Sequence, residues 1–271
     1  MGCLFCQSDG PFTTVEHVIP ESLGNDDLTL SGHVCDACQK YFGKEVEQFV
    51  LNKTPIAAWR VLLGTTTKKG KPPHSDLSQP NRSRGRFPSV SEHHDNFGLR
   101  ANEDGYSCAI ELNSDQVNQV LDSDQLRLKV VLSPKVLFMM GRFLCKIGME
   151  LICTVDPEEA RSSRFDLARR YAREGSTNWL WPILMYSAGD YHGLKKWGRD
   201  EDGYYITSEC YSFLLGDVER NRFLEFGIGT DRYIITLDEP QSEVIAAAAV
   251  QDHRCRLLWY HPSEIWPKGT H

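Results

Sequence analysis

Cys3-Leu4-Phe5-Cys6, Glu16-His17-Val18-Ile19-Pro20 and Cys35-Asp36-Ala37-Cys38 decide how this chain folds at its start. Each Cys-x-x-Cys pair supplies two thiolates from one tight turn. Two such turns complete the tetrahedral all-sulfur shell that zinc accepts without redox chemistry. One structural zinc at Cys3, Cys6, Cys35 and Cys38 is therefore expected. An ordinary zinc ribbon that only binds a partner fits less well: its pairs are separated by ~15–20 residues, whereas 28 residues separate Cys6 from Cys35, with an acid and a histidine among them. Disulfides fit less well again. No leader is expected before Cys3, the nine cysteines are odd in number, and Cys108, Cys145, Cys153, Cys210 and Cys255 stand singly, mostly among apolar residues. These five read as small buried hydrophobes of a reduced, cytoplasmic protein.

The Glu16-His17 pair is a separate matter, because it sets an oxygen ligand for a hard cation beside an imidazole that can take a proton from water. Local patterning puts short strands around Thr13–Val18 and Thr29–Val34. A helix should run from Asp36, its cap, to about Leu51, with Val46, Phe49 and Val50 on its apolar face. This ββα order places His17 at the end of the first strand and Gln39 on the first helical turn, close enough to serve one metal site.

The segments Cys3–Cys6, Thr14–Asn25 and Val34–Glu47, in this order and spacing, resemble the four-cysteine zinc branch of the HNH endonucleases, the ββα-metal nucleases. The resemblance implies that His17 is the general base and that Glu16 binds a catalytic Mg2+ or Mn2+. Gln39 stands where the family's helix offers Asn or His as a second metal ligand, and its side chain is one methylene longer than asparagine's. The family's central residue, which holds the loop after the catalytic histidine, falls to His33 or Asn25. The activity implied is hydrolysis of phosphodiester bonds in double-stranded DNA. One cation near the leaving 3′-oxygen and one neutral imidazole suffice for it, and a histidine pKa of ~6.5 keeps the ring mostly neutral at pH 7 to 8. A zinc-stapled nucleic-acid-binding protein that no longer cleaves is the alternative, kept open by Gln39.

Charge is distributed unevenly. The chain carries −7 overall, and residues 1–54 hold three Lys against eight Asp/Glu. An acidic module does not attract a polyanion. Residues 55–90 hold seven basic residues, Arg60, Lys68, Lys69, Lys71, Arg82, Arg84 and Arg86, against Asp76 alone. This segment is expected to hold DNA phosphates, although its Pro, Gly, Ser and Asn content also suits a solvated linker.

The expected organisation is an α+β protein: a ββα-metal module at 1–54, a basic loop-rich connection at 55–110, and a C-terminal α+β domain at 111–271. In that domain, Pro134 to Ile152 reads as a core helix whose Arg142, Lys146 and Glu150, four residues apart, form one stripe facing water. Arg142 and Lys146 interrupt the apolar run from Val136 to Met149, so no membrane span is expected. Asp156 to Glu174, with five acids and five arginines, reads as a second helix with a solvated face, stopped by Gly175. From Phe143-Leu144-Cys145-Lys146-Ile147 to Arg169-Arg170-Tyr171-Ala172-Arg173-Glu174-Gly175 the chain resembles the C-terminal parts of bacterial proteins that carry this kind of HNH module. Six strand-like segments follow: Trp181–Ser187, Tyr204–Leu215, Phe223–Ile228, Tyr233–Leu237, Val244–Val250 and Arg256–Tyr260. Trp179, Trp181, Trp197, Trp259 and Trp266 are assigned to core packing in preference to base stacking. Target choice, signal sensing and homodimer formation are the roles open to this domain.

Overall fold

The computed structural model describes residues 2–25, 27–62, 100–102, 105–111, 127–175, 181–187, 197–200, 203–206, 211–218, 220–240 and 256–258. It is an α+β fold in which a small N-terminal ββα module sits against a larger region of helices and antiparallel sheets. In the module, β1 (Val15–His17) pairs antiparallel with β2 (Thr29–Ser31), Glu16 lying opposite Leu30. Both strands are shorter than expected: after β1, Pro20 turns the chain into a single helical turn, Glu21–Leu23, that closes on Gly24 at φ 85, and β2 is followed directly by Gly32 at φ 74.

The following helix begins at Asp36, as expected, but has three parts: Asp36–Tyr41, a wider π turn over Phe42–Glu47, and Gln48–Lys53. Phe42, Val46 and Val50 form its fully buried face. Cys35, not Asp36, is the cap residue, and it caps without a side-chain bond. The Asp36 carboxylate instead accepts from the backbone N–H and hydroxyl of both Thr13 and Thr14. These bonds, the Thr13 hydroxyl foremost, pull its pKa down to about 2.

A further helix, Pro55–Leu62, turns back from the module, and the indole of Trp59 donates to the buried Asp231 carboxylate at 2.8 Å. Beyond it, β3 (Arg100–Asn102), β4 (Gly105–Glu111) and β5 (Arg127–Leu132) form an antiparallel three-stranded sheet. The sequence reading had a loop-rich connection where β3 and most of β4 lie. The 22-residue helix Pro134–Val155 follows, capped by Ser133, whose hydroxyl accepts from Val136 N–H.

This long helix is sandwiched. Gly141 and Gly148 lie on one face, where an added Cβ would stand 2.6 Å from the Tyr171 hydroxyl and 2.7 Å from the Leu237 side chain. A side chain at either position would have to displace its neighbour. Arg142, Lys146 and Glu150 recur on another face, and all three are buried. The stripe expected to face water faces the N-terminal module. The Arg-rich segment forms two short turns and the helix Asp166–Glu174, stopped by Gly175 at φ 67. Arg170 is exposed, as a solvated face requires, whereas Arg169 is buried and bonds to the Ala160 carbonyl and Asp166.

A five-stranded antiparallel sheet closes the other side, in the order β12 (Arg256–Leu258), β6 (Ile183–Ser187), β11 (Asp231–Thr236), β10 (Asn221–Ile228), β9 (Tyr211–Val218). A separate hairpin pairs β7 (Trp197–Asp200) with β8 (Gly203–Ile206). Trp181 belongs to the core, stacked on Tyr171 at 4.8 Å with its indole donating to Thr236 O. The strand expected at Val244–Val250 lies outside the described residues. So do Trp179, Trp259 and Trp266, and of Trp197 only the backbone is described. Among the described residues no helix is long and apolar enough to cross a membrane.

Candidate zinc knuckle and nuclease site

The two Cys-x-x-Cys turns converge. The sulfurs of Cys3, Cys6, Cys35 and Cys38 all lie within 4.8 Å of one another, against ~3.8 Å between thiolates sharing one zinc at Zn–S 2.3 Å. The cysteines are free thiols, and the close Cys6–Cys35 pair, at 3.5 Å, is far from a disulfide bond length. The knuckle is set by Cys3 N–H donating to Ser8 O and by Cys35 N–H pointing at Cys3 Sγ, 3.3 Å away. A hydrogen bond from Cys38, the largest cause, takes the Cys3 thiol down to about 4, while Cys38 moves up in response. Four sulfurs this close, with Cys3 favoured as a thiolate, form a donor set suited to a cation. The residues fit zinc. Arg173, from the Arg-rich helix, donates Nε–H to Cys38 Sγ at 3.3 Å with its guanidinium 3.8 Å above the Tyr41 ring, offsetting the negative charge that a four-thiolate centre carries.

On β1, strand alternation sends Glu16 inward and His17 outward. Glu16 is 6% exposed. The Lys146 ammonium, wholly buried, stands 2.6 Å from Glu16, 2.9 Å from Glu47, 3.1 Å from Glu150 and 3.2 Å from the His17 carbonyl oxygen. Burial alone would drive Lys146 toward its neutral form, but the three carboxylates, Glu150 first, reverse this and hold its pKa well above the usual lysine value. Burial pushes the Glu150 carboxyl up, only partly opposed by Lys146. The His17 ring stays partly open to solvent, its Nε2 3.5 Å from Glu21 Oε1.

The loop behind His17 is held by Asn25. Its buried amide donates to the Ile19 and Leu28 carbonyls, and its oxygen accepts from Leu28 N–H and the Tyr211 hydroxyl. Of the two residues nominated to fix that loop, Asn25 occupies the position. Gln39 is used differently: its amide oxygen stands 2.8 Å from Thr14 Oγ1, whose single hydrogen it shares with Asp36, and its NH2 donates to the Thr14 and Val34 carbonyls. The amide therefore staples the helix to the start of β1, and a ligand role would draw its oxygen from the Thr14 hydroxyl.

Residues 3–54 match the HNH endonuclease family. This part of the chain is an HNH module. A search of curated proteins and one of solved structures each returned no match.

His33, expected near the chemistry of the HNH module, has its Nδ1 3.0 Å from an Arg161 guanidinium nitrogen, and burial followed by that positive charge lowers its pKa. It is held by a cation from the C-terminal region. Lys68, Lys69, Lys71, Arg82, Arg84 and Arg86 lie outside the described residues. Arg60, the first basic residue after the module, is buried, donating to the Ser22 and Leu51 carbonyls. Sequence reasoning offered Glu47 only as a substitute for Gln39 and missed Lys146 and Glu150 as companions of Glu16. The available signal was Lys146 and Glu150 one turn apart in a helix otherwise apolar on most sides.

Proposed function

We propose that the protein is a metal-dependent endonuclease that hydrolyses phosphodiester bonds in double-stranded DNA, working in the cytoplasm, with His17 as general base. The observation that carries this reading is the placement of His17 within a matched HNH module. Its ring is open to solvent while its backbone is fixed from behind by Lys146 at its carbonyl and by the loop that Asn25 ties down. The neutral imidazole takes a proton from water, the resulting hydroxide attacks phosphorus, and the P–O3′ bond breaks as the leaving 3′-oxygen takes a proton from solvent. Glu21 Oε1 stands 3.5 Å from Nε2.

A bound Mg2+ or Mn2+ would supply charge neutralisation at the leaving oxygen. The donor chemistry fits such an ion in part. Glu16, Glu47 and Glu150 set three carboxylates against one ammonium, a deficit of two charges when all are ionised. Glu16 is the donor this reading relies on, and Gln39 would contribute only by turning its amide oxygen from Thr14. Zinc at the four cysteines is structural, since all four tetrahedral positions are filled by sulfur.

Nicking of supercoiled plasmid by wild type with Mg2+, Mn2+ or no metal tests this reading. Metal-dependent nicks are expected. DNA binding without cleavage in every metal would favour the second reading, a zinc-stapled binding protein, which the engagement of Glu16 by Lys146 and of Gln39 by Thr14 supports. In either case the basic stretch at 55–90 is assigned the phosphate contacts, on charge alone. Replacing Arg82, Arg84 and Arg86 by Ala should weaken binding to all sequences alike and reduce the salt slope by about one unit per lost contact. An unchanged slope would assign the phosphates elsewhere.

A further inference from the structure

The Lys146 ammonium has three hydrogens and four acceptors around it. Glu16 Oε1, Glu47 Oε1, Glu150 Oε2 and the His17 carbonyl lie 2.6, 2.9, 3.1 and 3.2 Å away. A lysine cannot satisfy all four. The shortfall is on Glu150, fully buried, whose two carboxylate oxygens receive no hydrogen bond although the ammonium is near enough to attract one of them. The three acids come from β1, the π turn and the long helix, so the cluster is assembled only when the HNH module and the C-terminal region are packed together. A buried group with more acidic oxygens than its cation can serve is short of positive charge and of coordination number.

We propose that Glu16, Glu47 and Glu150 form a cation site whose resident occupant is the Lys146 ammonium, and that a divalent cation contests Glu16 with it. Hard divalent cations take six or more oxygens, which suits a cluster that one ammonium leaves partly unserved. Lys146 is carried by the long helix, so a cation that takes Glu16 Oε1 must displace an ammonium that this helix supplies. The C-terminal region thereby holds the metal affinity of the nuclease module down. This goes beyond the nuclease reading and stands without it, because cation binding is measured without cleavage.

The test uses the zinc-loaded full chain and Mn2+ as the probe, with free Mn2+ followed by its paramagnetic resonance and zinc content checked throughout. Wild type and K146R should bind Mn2+ weakly and melt at the same temperature with and without it. K146M should bind Mn2+ about tenfold tighter or more, the scale of removing one neighbouring like charge, and its melting temperature should rise with Mn2+. The gain should vanish in K146M/E16Q and shrink in K146M/E150Q. K146M that binds Mn2+ no more tightly than wild type would overturn the proposal, as would K146M that stays unfolded in millimolar Mn2+. Tightened binding in K146M with no cleavage by wild type in any metal would leave this inference standing and defeat the nuclease reading. Cleavage by wild type with Mn2+ affinity unmoved in K146M would do the reverse.

Discussion

The zinc knuckle and the lysine cluster both bury charge within the same small module, and they assemble it in opposite ways. The knuckle takes its four sulfurs from two turns, each closed within four residues of sequence, and brings in one distant group, Arg173, to the sulfur of Cys38. The cluster takes Glu16, Glu47, Lys146 and Glu150 from segments up to 134 positions apart and leaves one carboxylate without a hydrogen bond. Charge built from local turns is complete before the rest of the chain arrives. Charge built across segments depends on how two regions pack, and that is where a shortfall persists and where regulation has a foothold.

The largest effect should come from the knuckle itself. In C35S one thiolate is lost from a site whose metal binding is the folding free energy of the module. Zinc content should fall to near zero and the module should lose its melting transition. Full zinc occupancy with unchanged melting would mean that the knuckle is not what holds the module, and the contrast with the lysine cluster would collapse.

A smaller effect is expected from R173M, which removes the long-range partner that Cys38 has among the described residues while leaving all four sulfurs. Partners of metal ligands typically contribute ~10–100-fold to metal affinity. Zinc should pass to a chromophoric chelator about tenfold faster than from wild type, with the fold retained. Transfer at the wild-type rate would show that the knuckle is self-sufficient, which sharpens the contrast further and assigns Arg173 to packing on Tyr41 alone.

The same division explains what could be read in the sequence. The knuckle, the ββα order and the position of His17 follow from short spacings and from alternation along one strand, and each stands in the structure where the residues imply. The long helix was legible as a helix, because its apolar periodicity is strong and Ser133-Pro134 marks its start. Its charged stripe was misassigned to water for a physical reason. A stripe of Arg142, Lys146 and Glu150 has the same period whether its partner is solvent or a buried set of carboxylates and carbonyls, and periodicity reports the face, not what covers it. Arg142 shows this as well as Lys146: its guanidinium donates to the Ala172 and Arg173 carbonyls and to the Tyr41 hydroxyl. Gln39 and Asp36 likewise have partners that their sequence positions do not disclose. Their amide and carboxylate are suited to ligation and capping, yet both are taken up by Thr13 and Thr14, partners that no spacing rule names.

The central claim, that His17 is the base of a metal-dependent nuclease, is tested most directly by comparing zinc-loaded wild type with H17A on supercoiled plasmid across an Mn2+ titration. The account predicts nicked product from wild type that rises with Mn2+. It predicts a rate lower by about 10²–10⁴-fold in H17A, with zinc content, melting temperature and DNA affinity unchanged. Equal nicking by the two proteins, or none by wild type at any Mn2+ concentration, would contradict it.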